Sequence, residues 1–117
     1  WKGVRIPTLI STGTKDFSDV GSNKMKSPFK YEVPEALKRS FAPHHYLLID
    51  QADHYLGGLI CRTDVPGPPQ HEALKIAAES SVVFLDAYVK NNRRALMSIT
   101  FGDMEKATNG KATLILK

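Results

Sequence analysis

The sequence has little of what marks disulfide-stabilised or membrane-spanning proteins. Its single cysteine, Cys61, cannot form an internal disulfide or a CxxC metal site. No stretch approaches the roughly 20 consecutive apolar residues that a membrane-spanning helix needs. We therefore expect no membrane span, and we expect Cys61 to be a small, half-buried apolar side chain.

Concentrated charge is also missing. The formal net charge is +4, but the lysines and arginines are scattered and do not alternate with aromatic residues as in a nucleic-acid-binding surface. Adjacent side chains on an extended strand point to opposite faces, so His44 and His45 cannot easily share a metal ion. We predict no nucleic-acid partner, no metal and no cofactor, and we interpret His44, His45 and His71 as surface or partly buried side chains.

What is present is an alternation of strand and helix signals within a single domain or fragment. The predicted elements are a strand at 5–12, an acid loop at 13–31, a short helix at 34–41, a strand at 45–50, a histidine loop at 51–59, a long helix at 70–91 and a C-terminal tail at 92–117. This order predicts an α/β fold with a short parallel sheet of two to three strands, flanked by helices.

The long helix and the tail carry most of the remaining apolar residues. Along the helix, one apolar stripe recurs at helical spacing and predicts the side that faces the core. Its members are Leu74, Ala78, Val82, Leu85 and Val89. The segment 112–117 is apolar enough to dock as an extended chain. Two or three parallel strands are too few for an independent doubly wound sheet, which indicates that part of the fold is missing.

Residues with catalytic potential follow both predicted strands. The first strand exits into a turn that ends at Asp16, and the second into a loop that contains Asp53 and His54. Functional groups gather beyond the carboxyl ends of strands in such sheets, so an acid and a histidine could meet there. A carboxylate that accepts the imidazole N–H fixes the tautomer of the ring and stabilises the imidazolium.

At these residues the sequence resembles a known family. The segment IPTLISTGTKD resembles the strand and turn that carry the catalytic acid of α/β-hydrolases, and HYLLIDQADHYLGG resembles their last strand and histidine loop. The segment at 52–58 is especially similar to that of dienelactone-hydrolase-like carboxylesterases. The helix from Gln70 resembles the terminal helix of that fold, so the resemblance covers most of the chain.

The resemblance implies a role for several residues. It makes Asp16 the acid of a catalytic triad and His54 its general base, with Asp19 as the rival acid. Asp53 is expected to shape the loop rather than to catalyse. Glycines 57 and 58 are expected to let the chain turn tightly after the histidine.

The nucleophile of the family is absent. No Gly-x-Ser-x-Gly occurs in the sequence, and the order in this fold is serine, acid, histidine. We therefore expect the C-terminal portion of a serine hydrolase that acts on carboxylic esters, and we expect this chain alone to be inactive. The alternatives are a non-catalytic α/β module or pseudo-hydrolase used for association, and then a parallel α/β domain unrelated to hydrolases.

The same interpretation predicts partners. The first residue is Trp1 rather than methionine, so the absence of a signal peptide says nothing about the compartment. If an earlier strand is missing, the strand at 5–12 has a free edge that invites pairing with another chain. We expect a homodimer or association with the protein's own N-terminal part, and a small ester substrate in the complete protein.

Overall fold

The computed structural model describes residues 4–16, 42–61, 64 and 67–116, which form a three-stranded sheet with helices. The strands are β1 (Thr8–Gly13), β2 (His44–Ile49) and β3 (Ala112–Leu116). The helices are α1 (His71–Tyr88), α2 (Arg93–Phe101) and α3 (Met104–Ala107). The predicted short helix at 34–41, the acid loop after Asp16 and the rival acid Asp19 lie outside the described residues.

The sheet is mixed, with the order β1-β2-β3. Strand β1 is parallel to β2, whereas β2 is antiparallel to β3. The prediction of a mixed helix and strand class is therefore confirmed, but the prediction of a wholly parallel sheet is wrong. The reason lies in the connection: the Asp50 N–H donates to the Lys111 carbonyl at 2.8 Å, so the chain enters β3 beside the carboxyl end of β2 and must run back along it.

The tail after α1 forms two short helices before it reaches the sheet. The Asn92 side chain caps α2 by accepting from the N–H groups of Arg94 and Ala95, and Asp103 caps α3 by accepting from the Lys106 N–H. These caps let two short helices form between α1 and β3. The prediction that the tail docks as an extended segment is confirmed for residues 112–116.

The core lies between α1 and one face of the sheet. Leu47 and Ile49 of β2 are 0% and 2% exposed, and they belong to the same buried cluster as Ala73 and Ile76 of α1. Burial on the helix follows a stripe of mostly small residues. Its buried members are Ala73, Ile76, Ser80 and Ala87.

The predicted core face of the long helix is wrong. Val82, Leu85 and Val89 are 56%, 51% and 68% exposed, so most of the predicted stripe faces away from the sheet. Both stripes have helical spacing, and the sheet contacts the one whose alanines and serine allow close approach. In the part of the chain that the structure describes, none of the helices has the length and apolar composition of a membrane-spanning segment.

Candidate functional site

The carboxyl ends of β1 and β2 lie side by side because the two strands are parallel, with Gly13 opposite Ile49. Backbone hydrogen bonds join the loops that follow. The Thr14 N–H donates to the Ile49 carbonyl, and the Lys15 N–H donates to the Ala52 carbonyl, both at 2.9 Å. A side chain at Gly13 would collide with Ala52, so glycine is what allows the two loops to meet this closely.

Asp16 is held on both of its carboxylate oxygens. The Thr12 hydroxyl donates to Oδ2 at 2.8 Å, and Oδ1 lies 3.0 Å from Nδ1 of His54. The Asp16 side chain is only 11% exposed. The predicted proximity of Asp16 and His54 is therefore confirmed, and both lie at the sheet edge where the strand order placed them.

His54 is anchored on one side of its ring and accessible on the other. Its side chain is 56% exposed, and the ring meets Tyr55 edge-on at a centroid distance of 4.9 Å. A carboxylate can only accept a hydrogen bond, so the bond to Asp16 requires the proton on Nδ1. Nε2 has no hydrogen-bond partner among the described residues, which leaves it as an acceptor in the neutral ring.

An open cavity of about 300 Å³ lies next to the pair and is lined by both side chains. Its apolar walls include Leu56 and Ile60, and Cys61 lies at its side. Cys61 is exposed, so the expectation of a half-buried apolar residue is wrong; it lies in the surface turn that follows the histidine loop. The cavity leaves space beside the His54 ring for a small molecule.

Asp53 shapes the histidine loop, as expected. Its Oδ1 accepts from the N–H groups of Tyr55 and Gly57 at 2.9 and 3.0 Å. The Gln70 side chain completes the arrangement: Nε2 donates to Asp53 Oδ2 at 3.0 Å, and Oε1 accepts from the Asp53 N–H at 3.1 Å. Gln70 therefore ties the loop to the start of α1.

Sequence reasoning missed the role of Gln70. The only signal was a polar residue directly before a predicted helix, which is also typical of a residue without any such role. The predicted turn glycines are confirmed, because Gly57 and Gly58 have φ of 66° and 85°. A side chain at Gly57 would also collide with the Pro68 carbonyl.

His44 and His45 lie at the opposite end of β2 from the site. Both are 0% exposed, so the interpretation as surface or partly buried side chains is wrong for them, whereas His71 is exposed as predicted. Nε2 of His45 lies 2.7 Å from the Tyr88 hydroxyl. Burial lowers the pKa of both His44 and His45, and the pKa of His45 is lowered further by the neighbouring His44.

Metal binding finds no support in the part of the chain that the structure describes. Within it, no group of three or more His, Cys, Asp or Glu side chains could hold a metal ion.

Comparisons of the chain with models of protein families, with curated proteins and with solved structures found no match. A functional proposal therefore rests on the geometry of the site and on the resemblance of its sequence segments.

Proposed function

We propose that the chain supplies the acid and the histidine of a serine-hydrolase catalytic triad, in an enzyme that cleaves carboxylic esters. The observation that carries the proposal is the 3.0 Å hydrogen bond between Asp16 and Nδ1 of His54, at the carboxyl edge of two parallel strands. The order of the two residues along the chain is the order of acid and histidine in α/β-hydrolases, which the surrounding segments resemble.

The pair has the properties of a general base in ester hydrolysis. Asp16 holds the Nδ1 proton of His54, so Nε2 can take the proton of a serine hydroxyl while the serine oxygen bonds to the ester carbonyl carbon. His54 then returns this proton to the departing alcohol oxygen, and the acyl group stays on the serine. A water molecule next gives its proton to Nε2 and attacks the acyl carbon, which releases the acid and restores the serine hydroxyl.

The serine and the oxyanion-binding N–H groups are the parts that these 117 residues do not provide, since no Gly-x-Ser-x-Gly occurs in them. We propose that polypeptide outside these residues supplies both. The 117-residue chain alone is then expected to hydrolyse p-nitrophenyl acetate no faster than free imidazole does. Saturable turnover that disappears in His54→Ala would contradict this, because it would require a nucleophile within the chain.

The second candidate is a non-catalytic module used for association. It is favoured by the exposed apolar side chains Val82, Leu85 and Val89 on α1, which a monomer gains nothing by exposing. In this case the bond between Asp16 and His54 would serve only to hold the two loops together.

The deciding experiment measures ester hydrolysis by the natural polypeptide that contains these residues. The variants are His54→Ala, Asp16→Asn and, as a matched control, His71→Ala, which removes an exposed histidine outside the site. We expect kcat to fall on the order of 10³-fold or more in His54→Ala, and strongly in Asp16→Asn, with no change in the control. Full activity in His54→Ala would exclude the triad role. No hydrolysis of any short-chain ester, together with no serine labelling by a fluorophosphonate, would favour the association module.

A further inference from the structure

The two halves of α1 contact the sheet in different ways. The α1 residues that belong to the core cluster, or pack against it, all lie in the first half of the helix, from Ala73 to Ala77. In the second half, Phe84 and Tyr88 pack against the ring of His45 on β2, with centroid distances of 5.9 and 5.5 Å. This aromatic cluster links the second half of α1 to the sheet.

The His45 ring is completely buried, and only one of its nitrogens has a partner. Nε2 lies 2.7 Å from the Tyr88 hydroxyl, whereas Nδ1 has no hydrogen-bond partner. The hydroxyl can donate or accept, so it can bond to Nε2 in either neutral tautomer. A protonated ring carries an N–H on both nitrogens, and its Nδ1 N–H would then be buried with a positive charge and without an acceptor.

The strands around His45 provide no negative charge. Its neighbour along β2 is His44, which is also buried. Opposite His45 lie Leu9 on β1 and Leu116 on β3. Burial and, to a smaller extent, the neighbouring His44 lower the pKa of His45, so its ring is neutral near pH 7 while α1 is docked.

The helices add no negative charge to the cluster in the part of the chain that the structure describes. Tyr88 is the titratable residue of α1 that bonds to the ring, and burial raises the pKa of its hydroxyl. On α2, the uncharged Thr100 hydrogen-bonds to Tyr88. The acidic residue in the second half of α1, Asp86, bonds to Lys90 at 2.7 Å. A proton on His45 would therefore gain no compensating carboxylate among these groups.

We propose that protonation of His45 in mild acid releases the second half of α1 from the sheet while the first half stays docked. In the released state, water can accept from both N–H groups of the ring, and the first half keeps its place in the core cluster. Release uncovers the rings of Phe84 and Tyr88, so the apolar surface of α1 grows as the pH falls. The proposal does not depend on the catalytic role of Asp16 and His54.

The test measures amide hydrogen–deuterium exchange of the 117-residue chain between pH 7 and pH 5. Rates are expressed as protection factors, which remove the pH dependence of the exchange chemistry itself. We expect residues 84–88 to be less protected than residues 76–79, and their protection to fall by up to about ten-fold per pH unit below about pH 6.5. Equal protection of the two segments at every pH would overturn the proposal, because both would then open only by global unfolding.

Two variants identify the group that responds to pH. His45→Gln keeps a side chain that can bond to Tyr88 but does not titrate, so the protection of residues 84–88 is expected to lose its pH dependence. His44→Leu, the matched control, removes the adjacent buried histidine and is expected to retain the dependence in this segment. A dependence that survives in His45→Gln, or disappears in His44→Leu, would overturn the assignment to His45.

A third variant tests the same contact without changing the histidine. Tyr88→Phe keeps the ring and removes the hydroxyl that bonds to Nε2 of His45. We expect the protection of residues 84–88 at pH 7 to fall by about 2-fold to 10-fold, the range that corresponds to the loss of one hydrogen bond. Unchanged protection would show that this contact does not hold the second half of α1 to the sheet.

Discussion

At the scale of single residues, the bond between Asp16 and His54 decides which ring nitrogen carries the proton. Thr12 donates to Oδ2 of Asp16, so an asparagine at this position would keep its oxygen near Thr12 and turn its NH₂ group toward the ring. That group donates to Nδ1 and would favour the tautomer with the proton on Nε2.

The prediction is that Asp16→Asn shifts neutral His54 from the Nδ1–H tautomer toward the Nε2–H tautomer. Long-range ¹H–¹⁵N NMR spectra of the imidazole ring report this directly. Asp50→Asn is the control, because Asp50 lies at the same sheet edge but bonds to Thr14 and Gln51 instead of the histidine. An unchanged tautomer in Asp16→Asn would mean that Asp16 does not orient the ring.

The contact between Gln70 and Asp53 gives a second residue-scale prediction. Gln70→Glu removes the amide donor and places a carboxylate about where Nε2 lies, next to the carboxylate of Asp53. We expect the free energy of unfolding to fall by about 1–3 kcal/mol in urea titrations at neutral pH. Glu72→Gln is the control: its exposed ion pair with Lys111 is expected to contribute less than about 1 kcal/mol. Equal effects of the two substitutions would argue against the role of Gln70.

Asp16 and His54 could be predicted from the sequence, whereas Gln70 could not. Both members of the pair lie in the loops that follow two parallel strands, and parallel strands bring such loops to one edge of the sheet. The contact of Gln70 with Asp53 spans 17 residues and depends on the path of the intervening loop. Composition and periodicity carry no information about such a path.

At the scale of elements, the orientation of α1 shows how far periodicity can reach. The helical spacing of the apolar residues predicts a helix over 70–91, and the helix runs from His71 to Tyr88. The same spacing predicts the wrong face of this helix to be buried. The helix has two stripes, and the bulkier one was predicted to be buried. The direction of β3 was missed for a related reason, because it depends on where the two short helices return the chain to the sheet.

The orientation of α1 can be tested by paired truncations. Ile76→Ala removes a side chain that is 8% exposed and packs in the core cluster, so we expect a loss of about 2–4 kcal/mol in the free energy of unfolding. In solutions dilute enough to keep the chain monomeric, Val82→Ala is expected to change it by less than about 0.5 kcal/mol, because this valine is exposed and alanine favours the helix. The reverse ranking in chemical denaturation would mean that the predicted stripe is the buried one after all.

At the scale of the whole molecule, His44 and His45 connect stability to pH. Burial keeps their pKa below the usual value near 6.5, so the unfolded chain binds more protons than the folded chain as the pH falls through that value. The stabilisation that these two histidines give the folded chain is fully present above about pH 6.5. It is lost as the pH falls toward their lower pKa values in the folded chain. Tyr88, which bonds to His45, stays neutral throughout, because burial raises the pKa of its hydroxyl.

We therefore predict that the free energy of unfolding decreases on acidification below about pH 6.5, by up to about 1.4 kcal/mol per pH unit for each histidine. Urea titrations between neutral and mildly acidic pH measure this slope. His44→Leu is expected to make it shallower, because it removes one buried titratable ring whose nitrogens have no partners among the described residues. His71→Ala, at an exposed site, is expected to leave the slope unchanged. The same slope in wild type and His44→Leu would contradict the prediction.

Two surfaces of the molecule favour association with another chain. Strand β1 is an edge strand, with no neighbour on its outer side among the described residues, and its unpaired N–H and C=O groups can accept a further strand. The second surface lies on helices α1 and α2, which also expose large apolar side chains. They are Val82, Leu85, Val89, Met97 and Phe101.

We propose that the chain forms a two-fold dimer through these helices, with association with the protein's own N-terminal part as the rival. Sedimentation equilibrium at micromolar concentrations is expected to show dimers. Combining Val89→Lys with Phe101→Lys should weaken them by about 10-fold or more, because both lysines would have to lose water at the interface. Leu116→Lys, which alters an exposed apolar side chain on β3, is the control and should leave the dimer intact. A wild-type chain that stays monomeric and unfolds cooperatively would show that the apolar surface does not drive self-association.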